Sequence, residues 1–223
     1  MRETATTDHY RLLAPFYERL GSLLFGNEFQ ASKLAFLDSI GRGDQVLVLG
    51  GGAGSNMREI LNRCGSKGKV IYMEASASMI RECQSGLSMD LLQQVTFIHA
   101  ASFDALPDMK FDVVFTQYFL DVLPDEKIDQ LFRKIQTKVQ AHSHWIFADF
   151  YPVPSKMLLL KTLINSFRIL TRHPRRDLPE YGYYFEKWGW EERGRSLYCQ
   201  GFYQASIYGF APRSIKPETS SLK

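Results

Sequence analysis

Apolar residues along this chain fall into two kinds of segment. The first kind is a short, mostly apolar run, and five occur: Gln45–Leu49, Lys69–Met73, Val95–His99, Phe111–Phe115 and Trp145–Ala148. The run Gln45–Leu49 is continuous, which predicts a strand that is buried on both faces, as in a parallel sheet. The second kind has apolar residues at helical spacing and lies between the runs. Strand and helix thus alternate five times within about 105 residues, which predicts a doubly wound α/β sheet.

Helical spacing and chain breaks complete the predicted order of elements. Four helical segments are predicted: Tyr10–Ile40, Ser55–Cys64, Ser76–Leu87 and Asp125–Val139. Ser76 or Ser78 is expected near the helix N-cap, because a serine hydroxyl can accept a hydrogen bond from a free backbone N–H. The segment Leu197–Phe210 alternates aromatic and small residues without a helical period. We expect it to form one or two strands, at least one of which closes an edge of the sheet.

Composition excludes several classes of protein. The chain has 223 residues, of which 45% are hydrophobic and 13% aromatic, so it can bury a proper core and is not disordered overall. A net charge of +3 does not by itself favour nucleic acid as a partner. Three cysteines without a CxxC spacing suggest neither a disulfide framework nor a zinc site. His142 and His144 lack a further ligand at metal-binding spacing, so no metal is predicted.

Targeting segments are not apparent in the sequence. The polar stretch Met1–Thr7 is not followed by an apolar segment of the kind that a secretory signal contains. The longest apolar stretch, Met157–Leu170, is interrupted by polar residues and is too short to span a bilayer. We therefore expect a cytoplasmic protein. The sequence does not indicate an oligomeric state.

A glycine-rich loop follows the first predicted strand. Four of the five residues in Gly50–Gly54 are glycine, and a helix is predicted directly after them. A chain without Cβ atoms can turn sharply and let a ligand approach its backbone closely. In open α/β sheets ligands bind at the carboxyl ends of the strands, where this loop lies. The loop is therefore the best candidate for a binding site.

The glycine spacing separates three kinds of nucleotide-binding loop. A phosphate-binding P-loop requires Gly-Lys-Ser/Thr, whereas Ser55–Met57 follows this loop. The dinucleotide pattern GxGxxG requires a sixth-position glycine, which is missing whether the count starts at Gly50 or at Gly52. Only the spacing GxGxG is matched, by Gly50, Gly52 and Gly54.

Four segments together resemble class I S-adenosylmethionine-dependent methyltransferases, and within them the quinone-biosynthesis C-methyltransferases and their small-molecule relatives. The segments are the tyrosine-rich Tyr10–Leu20, the glycine motif Val46–Gly54, the acidic strand end Ile71–Met79 and the leucine-rich turn Phe111–Asp125. The similarity covers roughly residues 10–150. It implies a mostly parallel, seven-stranded, Rossmann-like sheet with N-terminal helices. It also implies S-adenosyl-L-methionine as cofactor and a small-molecule, aromatic or lipid-like methyl acceptor.

The resemblance also assigns residues to the cofactor. The glycine loop would pass under the methionine part, and Glu74 would accept hydrogen bonds from both ribose hydroxyls. The residues after the fourth strand, Thr116–Phe119, would wall the methionine end. The full implied cofactor set is Gly50, Gly51, Gly52, Gly54, Glu74, Ala75, Ala101, Ser102, Gln117 and Tyr17.

Two positions depart from the family pattern. The family usually has an acidic residue two positions before the first glycine, where this chain has Val48. The family often has an aspartate after the third strand, against the adenine amino group, where this chain has Ala101. Other groups would have to replace these contacts: Ser102 or Asp104 at the adenine, and Asp8, Glu18 or a backbone carbonyl at the methionine ammonium.

Methyl transfer makes few chemical demands on the protein, because the methyl group is already activated in the cofactor. A general base is needed only if the acceptor must lose a proton early. The acceptor-side candidates are Tyr17, Tyr118 and Asp149, and the aromatic rings near the sulfonium are Tyr17, Tyr118, Phe119 and Tyr151. For Asp149 the sequence does not decide between two functions, contact with the acceptor and capping of a loop. Asp112 begins its strand, away from the carboxyl ends, and is expected to be structural.

The segment after the fifth strand is the least family-like part of the chain. Nine Lys or Arg and five Asp or Glu between Lys156 and Arg195 give a local charge of +4. The same segment is also rich in aromatic residues. We interpret residues 151–192 as a lid over an apolar or anionic acceptor, or as a face for transient membrane contact. The alternative is an amphipathic helix packed on the sheet, with Met157, Leu160 and Ile164 facing inward.

The predicted organisation is a single methyltransferase-like domain over residues 1–223. Residues 10–40 form the helical entry, 45–150 the cofactor-binding core, 151–192 the lid and 193–212 the closing strands. One alternative function is a non-catalytic, methyltransferase-like binding protein, suggested by Val48 and Ala101. A second is a nucleotide-dependent oxidoreductase, suggested by the distance from the glycines to Glu74 and opposed by the glycine spacing.

Overall fold

The computed structural model describes residues 26–162, 175 and 177–211 of the chain. Its strands are β1 Gln45–Leu49, β2 Lys69–Glu74, β3 Val95–His99, β4 Val113–Gln117, β5 His144–Phe150, β6 Trp190–Tyr198 and β7 Tyr203–Phe210. Its helices are α1 (residues 26–34), α2 Met57–Cys64, α3 Ala77–Ser85, α4 Met89–Leu92, α5 Asp125–Gln136, α6 (residues 157–162) and α7 Tyr181–Lys187.

The strands form one seven-stranded sheet in the order β3-β2-β1-β4-β5-β7-β6. Strands β1 to β5 pair in parallel, and β7 runs antiparallel to both β5 and β6. The mostly parallel α/β sheet expected from the sequence is thereby confirmed. After β1 the chain builds the sheet to one side and then returns to place β4 on the other. This reversal opens a crevice at the carboxyl ends of β1 and β4.

The central strands are buried on both faces, as the continuous apolar run Gln45–Leu49 predicts. In β1, Val46 and Val48 pack with α2 and α3 on one face, while Leu47 and Leu49 pack with α5 and α7 on the other. All four side chains are inaccessible to solvent. Val48 stands where the family usually has an acidic residue. Because Val48 belongs to the core, no β1 side chain at this position is available to the crevice.

The ends of several elements differ from the predicted ones. The Ser76 cap is confirmed, because its hydroxyl accepts a hydrogen bond from the backbone N–H of Met79 at 3.3 Å. Strand β4 is displaced two residues toward the C-terminus of its predicted range, so Asp112 lies just before it. The Asp112 carboxylate accepts hydrogen bonds from the Gln45 backbone N–H at 2.8 Å and pairs with His142 at 3.0 Å. These contacts give Asp112 the expected structural function.

The predicted lid requires a correction. Strand β6 begins at Trp190, so the closing strands start three residues before the predicted residue 193. Helix α7 also lies inside the predicted lid, yet Tyr181, Tyr184 and Phe185 are buried in the core against β5 and α5. Phe185 stacks on Tyr208 of β7 with ring centroids 3.7 Å apart. Aromatic residues at helical spacing thus mark core packing here, not a mobile cover.

The earlier part of the predicted lid is only partly described. Leu160 is buried and Met157 packs against the same cluster, which contains Phe29, Phe150 and Phe202. Ile164, Phe167 and the basic residues 168 and 172 lie outside the described residues. None of the helices in the described part of the chain combines the length and the apolar character that a bilayer crossing requires.

Candidate functional site

A cavity of about 230 Å³ lies in the crevice between the carboxyl ends of β1 and β4. Its walls come from α1, from the glycine loop after β1, from the end of β2 and the start of α3, and from the segments that follow β3 and β4. The lining residues are Phe29, Lys33, Leu49, Gly50, Gly51, Gly52, Ala53, Met73, Glu74, Ala75, Met79, Ala100, Ala101, Phe103, Gln117, Tyr118, Phe119, Val122 and Leu123. Most of these are apolar, and Lys33 and Glu74 carry the two charges among them.

The glycine loop is shaped by positive backbone dihedrals and by close packing. Gly50, Gly52 and Gly54 have φ values of 61°, 61° and 75°, which L side chains rarely adopt. A Cβ atom at Gly50 would overlap the Phe119 ring, and one at Gly54 would overlap Cys83. A Cβ atom at Gly52 would meet no atom within 4 Å. Gly52 therefore faces open space in the cavity wall, where a ligand can reach the backbone.

Tyr72 of β2 supports the loop from below. Its side chain is fully buried, and its hydroxyl donates a hydrogen bond to the Gly52 carbonyl oxygen at 2.5 Å. Its ring fills the space beside Gly51, where a Cβ atom would overlap the ring and the hydroxyl. The loop thus needs glycine at position 51 to accommodate a tyrosine that stands two residues before the acidic strand end.

Glu74 is bound to the glycine loop in the structure. One carboxylate oxygen accepts a hydrogen bond from the Gly52 backbone N–H at 3.1 Å, and the other accepts from the Ser76 backbone N–H at 2.9 Å. The side chain is half-buried and lines the cavity. It therefore connects the loop to the N-terminus of α3, and its carboxylate lies at the cavity where hydroxyl donors of a ligand can reach it.

Helix α1 contributes a cation to the other wall of the cavity. Lys33 Nζ lies 4.9 Å from the centroid of the Phe29 ring and donates a hydrogen bond to Ser55 Oγ at 3.3 Å. The Gln117 side-chain amide donates to the Lys33 carbonyl oxygen at 2.8 Å and accepts from the Asn56 side chain at 2.8 Å. Gln117 thereby ties α1 and α2 to the end of β4.

The segment after β4 closes the cavity with aromatic residues. Tyr118 has φ 51° and donates its backbone N–H to the Ala148 carbonyl oxygen at 2.8 Å, which continues the pairing with β5. Its hydroxyl lies 2.5 Å from Ser32 Oγ, and its ring centroid is 4.5 Å from that of Phe29. Burial raises the pKa of the Tyr118 hydroxyl well above its usual range. Tyr118 is therefore held as a neutral wall residue.

Two carboxylates meet behind this segment. Asp149 of β5 is completely buried and is not among the residues that line the cavity. Its Oδ1 accepts a hydrogen bond from the Phe150 backbone N–H at 2.9 Å. Burial, and then the charge of Asp121, raise the pKa of Asp149 well above the usual range of aspartate. Burial raises the pKa of Asp121 to about 7.

The predicted cofactor residues divide into those at the cavity and those elsewhere. Gly50, Gly51, Gly52, Glu74, Ala75, Ala101 and Gln117 line the cavity, as do the acceptor-side candidate Tyr118 and the ring of Phe119. Gly54 and Ser102 are not among the lining residues, and neither is Tyr151. Tyr17, Asp8 and Glu18 lie outside the described residues.

The candidates for the adenine contact are occupied by other contacts. The Ser102 hydroxyl caps the short 3₁₀ turn that follows β3, by accepting from the Asp104 backbone N–H at 3.3 Å. Asp104 forms an ion pair with Lys134 of α5 at 2.6 Å. Neither side chain lines the cavity. In the part of the chain that the structure describes, no group of three or more His, Cys, Asp or Glu residues could hold a metal ion.

Several lining residues were not expected from the sequence. Phe29 and Lys33 stand four residues apart, so they lie on one face of α1. The predicted helical entry contained both, but nothing in the local pattern distinguishes them from ordinary surface residues. Met79 lies five residues after the end of β2 and Phe103 four residues after the end of β3, and proximity to a strand end is the signal that could have indicated them.

A family model matches the central part of the chain. Residues 46–141 match the family model described as the methyltransferase domain. No curated protein sequence matches the chain.

Three solved structures show how widely the fold is shared. The DhpI complex with S-adenosylhomocysteine (SAH) is 19% identical, with a TM-score of 0.66, over 92% of this chain and 95% of that one. An S-adenosylmethionine-dependent methyltransferase from Aquifex aeolicus is 14% identical, with a TM-score of 0.62, over 89% and 97% of the two chains. Human N-acetylserotonin methyltransferase in complex with S-adenosylmethionine is 17% identical, with a TM-score of 0.65. That match covers 92% of this chain and 57% of the human chain.

The family match and the fold agree with the geometry of the site. The matched range begins in β1 and contains the glycine loop, Glu74 and the segment after β4. Two of these neighbours were solved with S-adenosylhomocysteine or S-adenosylmethionine, in agreement with the cofactor expected from the sequence. Residues 46–141 therefore resemble a methyltransferase domain, and the described part of the chain has the Rossmann-like fold of these methyltransferase structures.

Proposed function

We propose that this protein transfers a methyl group from S-adenosylmethionine to a small-molecule acceptor. The observation that carries the proposal is the arrangement around Gly52. Its backbone faces open space in the cavity, and its N–H is bound by the carboxylate of Glu74. A glycine loop with room above it and a carboxylate beside it suits a ligand that has both a flat surface and paired hydroxyl donors.

The residues present fit the parts of the cofactor. Glu74 would accept the ribose hydroxyls, and the apolar Met79, Ala101 and Phe103 would enclose the adenine. Lys33 would pair with the carboxylate of the methionine part, because it is the cationic residue among those that line the cavity. With Val48 in the core, the methionine ammonium would be bound by backbone carbonyls or by residues outside the described range.

When bound, the cofactor supplies an activated methyl group for an in-line displacement. The chain contributes position and a water-poor surrounding, chiefly through Phe29, Tyr118 and Phe119. Aromatic rings beside a sulfonium add attraction of about 0.5–2 kcal/mol each. Tyr118 contributes its ring and not a base, because its hydroxyl is buried against Ser32.

For the acceptor we propose an aromatic or lipid-like small molecule, of the kind that the resemblance to quinone-biosynthesis C-methyltransferases implies. The apolar and aromatic wall formed by Phe29, Tyr118, Phe119 and Val122 supports this class. Residues 151–162 and the segment beyond them would contribute the remaining contacts. A binding-only function is less well supported, since Glu74, the glycine loop and Lys33 are all in place.

Ligand-induced stabilisation tests the proposal. S-adenosylhomocysteine at a hundredfold excess over its Kd should stabilise the fold by about 2.7 kcal/mol and raise the Tm by several degrees, whereas NAD should not. Gly52→Val should abolish the rise, because the branched side chain would occupy the space above the loop. Gly43→Val is the matched control, since Gly43 also has a positive φ and no neighbour within 4 Å but lies away from the cavity.

The outcomes separate the proposal from its rivals. Stabilisation by NAD instead of S-adenosylhomocysteine would support an oxidoreductase. An undiminished Tm rise in the Gly52→Val protein would exclude the glycine loop from the site. A Gly43→Val protein that also loses the rise would show that general loss of stability, and not filling of the cavity, explains the effect.

A further inference from the structure

The wall segment, residues 118–123, follows β4 and supplies four of the residues that line the cavity: Tyr118, Phe119, Val122 and Leu123. At its start, the Tyr118 backbone N–H donates to the Ala148 carbonyl oxygen at 2.8 Å, so β5 holds this end. At its far end the chain reaches Pro124, which has no backbone N–H with which to continue such pairing. The far end is therefore held by contacts from outside β4 and β5.

The guanidinium of Arg175 binds this far end. The Arg175 side chain is only 7% exposed. Its Nη1 donates to the Leu123 carbonyl oxygen at 2.9 Å and to Asp125 Oδ1 at 2.7 Å. Its Nε donates to the Asp177 carbonyl oxygen at 3.1 Å and lies 3.2 Å from Asp177 Oδ1. One buried cation thus joins the wall segment to the first residue of α5 and to the chain that leads to α7.

The partners of Arg175 differ in how easily water can replace the guanidinium. The side chains of Asp125 and Asp177 are 62% and 78% exposed, so water can hydrate both carboxylates and the two ion pairs add little stability. Leu123 is half-buried and packs against the core cluster. Its carbonyl oxygen receives a hydrogen bond from a charged donor, which is stronger than a bond between neutral groups. The bond to Leu123 is therefore the contact that fixes the shape of the cavity wall.

We propose that Arg175 is a positioning residue for the cavity, because its guanidinium fixes the Leu123 carbonyl and with it the Val122 and Leu123 side chains of the wall. The inference rests on the proposed function only in taking this cavity as the methyl-transfer site. Leu123 packs against the apolar cluster that contains Phe103, a residue that the proposed function places at the adenine. Arg175 itself is not among the residues that line the cavity, so it acts on cofactor binding through the wall segment.

This function differs from the one that composition suggests for the basic residues of the segment. Composition assigns Arg175 to the predicted lid, where a cation could face an anionic acceptor. In the structure its side chain is buried and does not line the cavity, so it is not placed to bind an acceptor. The planar guanidinium can instead bind a carbonyl oxygen and two aspartates of the same chain together, which a lysine ammonium does less well.

Hydrogen exchange of the ligand-free protein tests the contact at two backbone amides. The Leu123 N–H donates to the Leu120 carbonyl oxygen at 3.2 Å and reports on the far end, whereas the Tyr118 N–H reports on the start. In Arg175→Met the protection factor of the Leu123 amide should fall about tenfold, because a hydrogen bond from a charged donor is lost. That of the Tyr118 amide should change less than about twofold, since its bond to β5 remains. Arg175→Gln, whose shorter side chain loses the same bond, should show the same fall and serves as a second variant if the first does not fold.

Three control variants separate the bond to Leu123 from the ion pairs. Asp125→Asn and Asp177→Asn each remove one carboxylate charge but leave the guanidinium bound to the Leu123 carbonyl oxygen. In both, the protection of the Leu123 amide should stay within about twofold of the wild type, because exposed ion pairs contribute little. Arg193→Met removes an exposed ion pair of β6, with Glu191 at 2.9 Å, and should also behave as the wild type.

The affinity for S-adenosylhomocysteine, measured on the same proteins, separates this inference from the proposed function. It should fall about fivefold in Arg175→Met and remain unchanged in the controls, because the ligand must then order the wall that Arg175 orders in the wild type.

Four outcomes are decisive. Unchanged protection of the Leu123 amide in Arg175→Met, or an equal loss in Asp125→Asn, would exclude the positioning function. An equal loss at the amides of β1 would show that Arg175 stabilises the whole fold and not the wall, and would exclude it too. So would equal ligand affinities of the wild type and Arg175→Met. If the exchange results are as expected and S-adenosylhomocysteine binds to none of the proteins, the attachment of the wall by Arg175 is supported and the proposed function fails.

Discussion

The glycine-loop end of the cavity and its β4–β5 end are stabilised by different interactions. At the loop end, backbone groups of Gly50 and Gly52 bind a strand carbonyl, the Tyr72 hydroxyl and the Glu74 carboxylate. At the β4–β5 end, the wall segment, residues 118–123, is held by a backbone hydrogen bond to Ala148 and by the buried Arg175 guanidinium, which donates to the Leu123 carbonyl oxygen at 2.9 Å. The loop end therefore depends on shape, whereas the wall segment depends on charge and burial.

This difference predicts how each end responds to change. The loop end should not tolerate an added methyl group in a filled position, because buried side chains occupy the space beside its glycines. The wall segment should respond to pH, because burial raises the pKa of Asp121 to about 7. Substitutions in the loop and beside it can therefore confirm or refute the contrast.

The largest effect is expected for Gly51→Ala. Its Cβ atom would overlap the Tyr72 ring, which is fully buried and bonded to the Gly52 carbonyl oxygen, so the ring cannot move away. We expect the free energy of unfolding to fall by about 3 kcal/mol. Gly52→Ala, one residue away in open space, should cost only about 1 kcal/mol through its left-handed backbone. Urea unfolding measures both, and equal losses would show that packing does not shape the loop.

An intermediate effect is expected for Glu74→Gln. We expect the affinity for S-adenosylhomocysteine to fall by about 1.5–3 kcal/mol, the range for hydrogen bonds to a charged group. The free energy of unfolding should also fall by about 1 kcal/mol, because one amide oxygen cannot replace the two that bind Gly52 and Ser76. Glu82→Gln, exposed on α3, is the matched control. Calorimetry that finds equal affinities for wild type and Glu74→Gln would remove Glu74 from the ribose site.

The two ends also differ in how far the sequence predicts them. Gly50–Gly54 and Glu74 were predicted because each follows directly on a recognisable apolar strand. The sequence also predicted Asp149 at the end of its strand, but it did not predict that Asp121 lies near Asp149. Asp121 and Arg175 are brought to the same place by tertiary packing across segments far apart in the chain, and no local pattern records that.

The part of the predicted lid that contains α7 was wrong for a related reason. Basic and aromatic residues after the fifth strand resemble the composition of a binding segment, but composition does not show which side of the sheet they cover. In the structure, Tyr181 and Phe185 complete the core over β5 and β7. The start of β6 at Trp190 was also not predicted, because its burial pattern has one buried residue followed by mostly exposed ones.

The smallest effect is expected where the loop end departs from the family that it resembles. Ala101 is exposed, lines the cavity and stands where related methyltransferases often have an aspartate against the adenine amino group. Ala101→Asp adds a carboxylate that can accept from that amino group. This hydrogen bond to a charged group should strengthen the binding of S-adenosylhomocysteine. Because residue 101 is exposed and solvent weakens the bond, we expect a gain of about 1 kcal/mol, or about fivefold.

Two controls identify the source of this gain. S-inosylhomocysteine has a carbonyl in place of the amino group, so its affinity should not rise in Ala101→Asp. Ser102→Asp adds the same charge one residue further on, where the side chain does not line the cavity, and should leave both affinities unchanged. A fivefold gain confined to Ala101→Asp and to the ligand with the amino group would place the adenine beside residue 101. A gain for both ligands would instead reflect a general effect of charge, since the carboxylate would then be acting without its hydrogen bond.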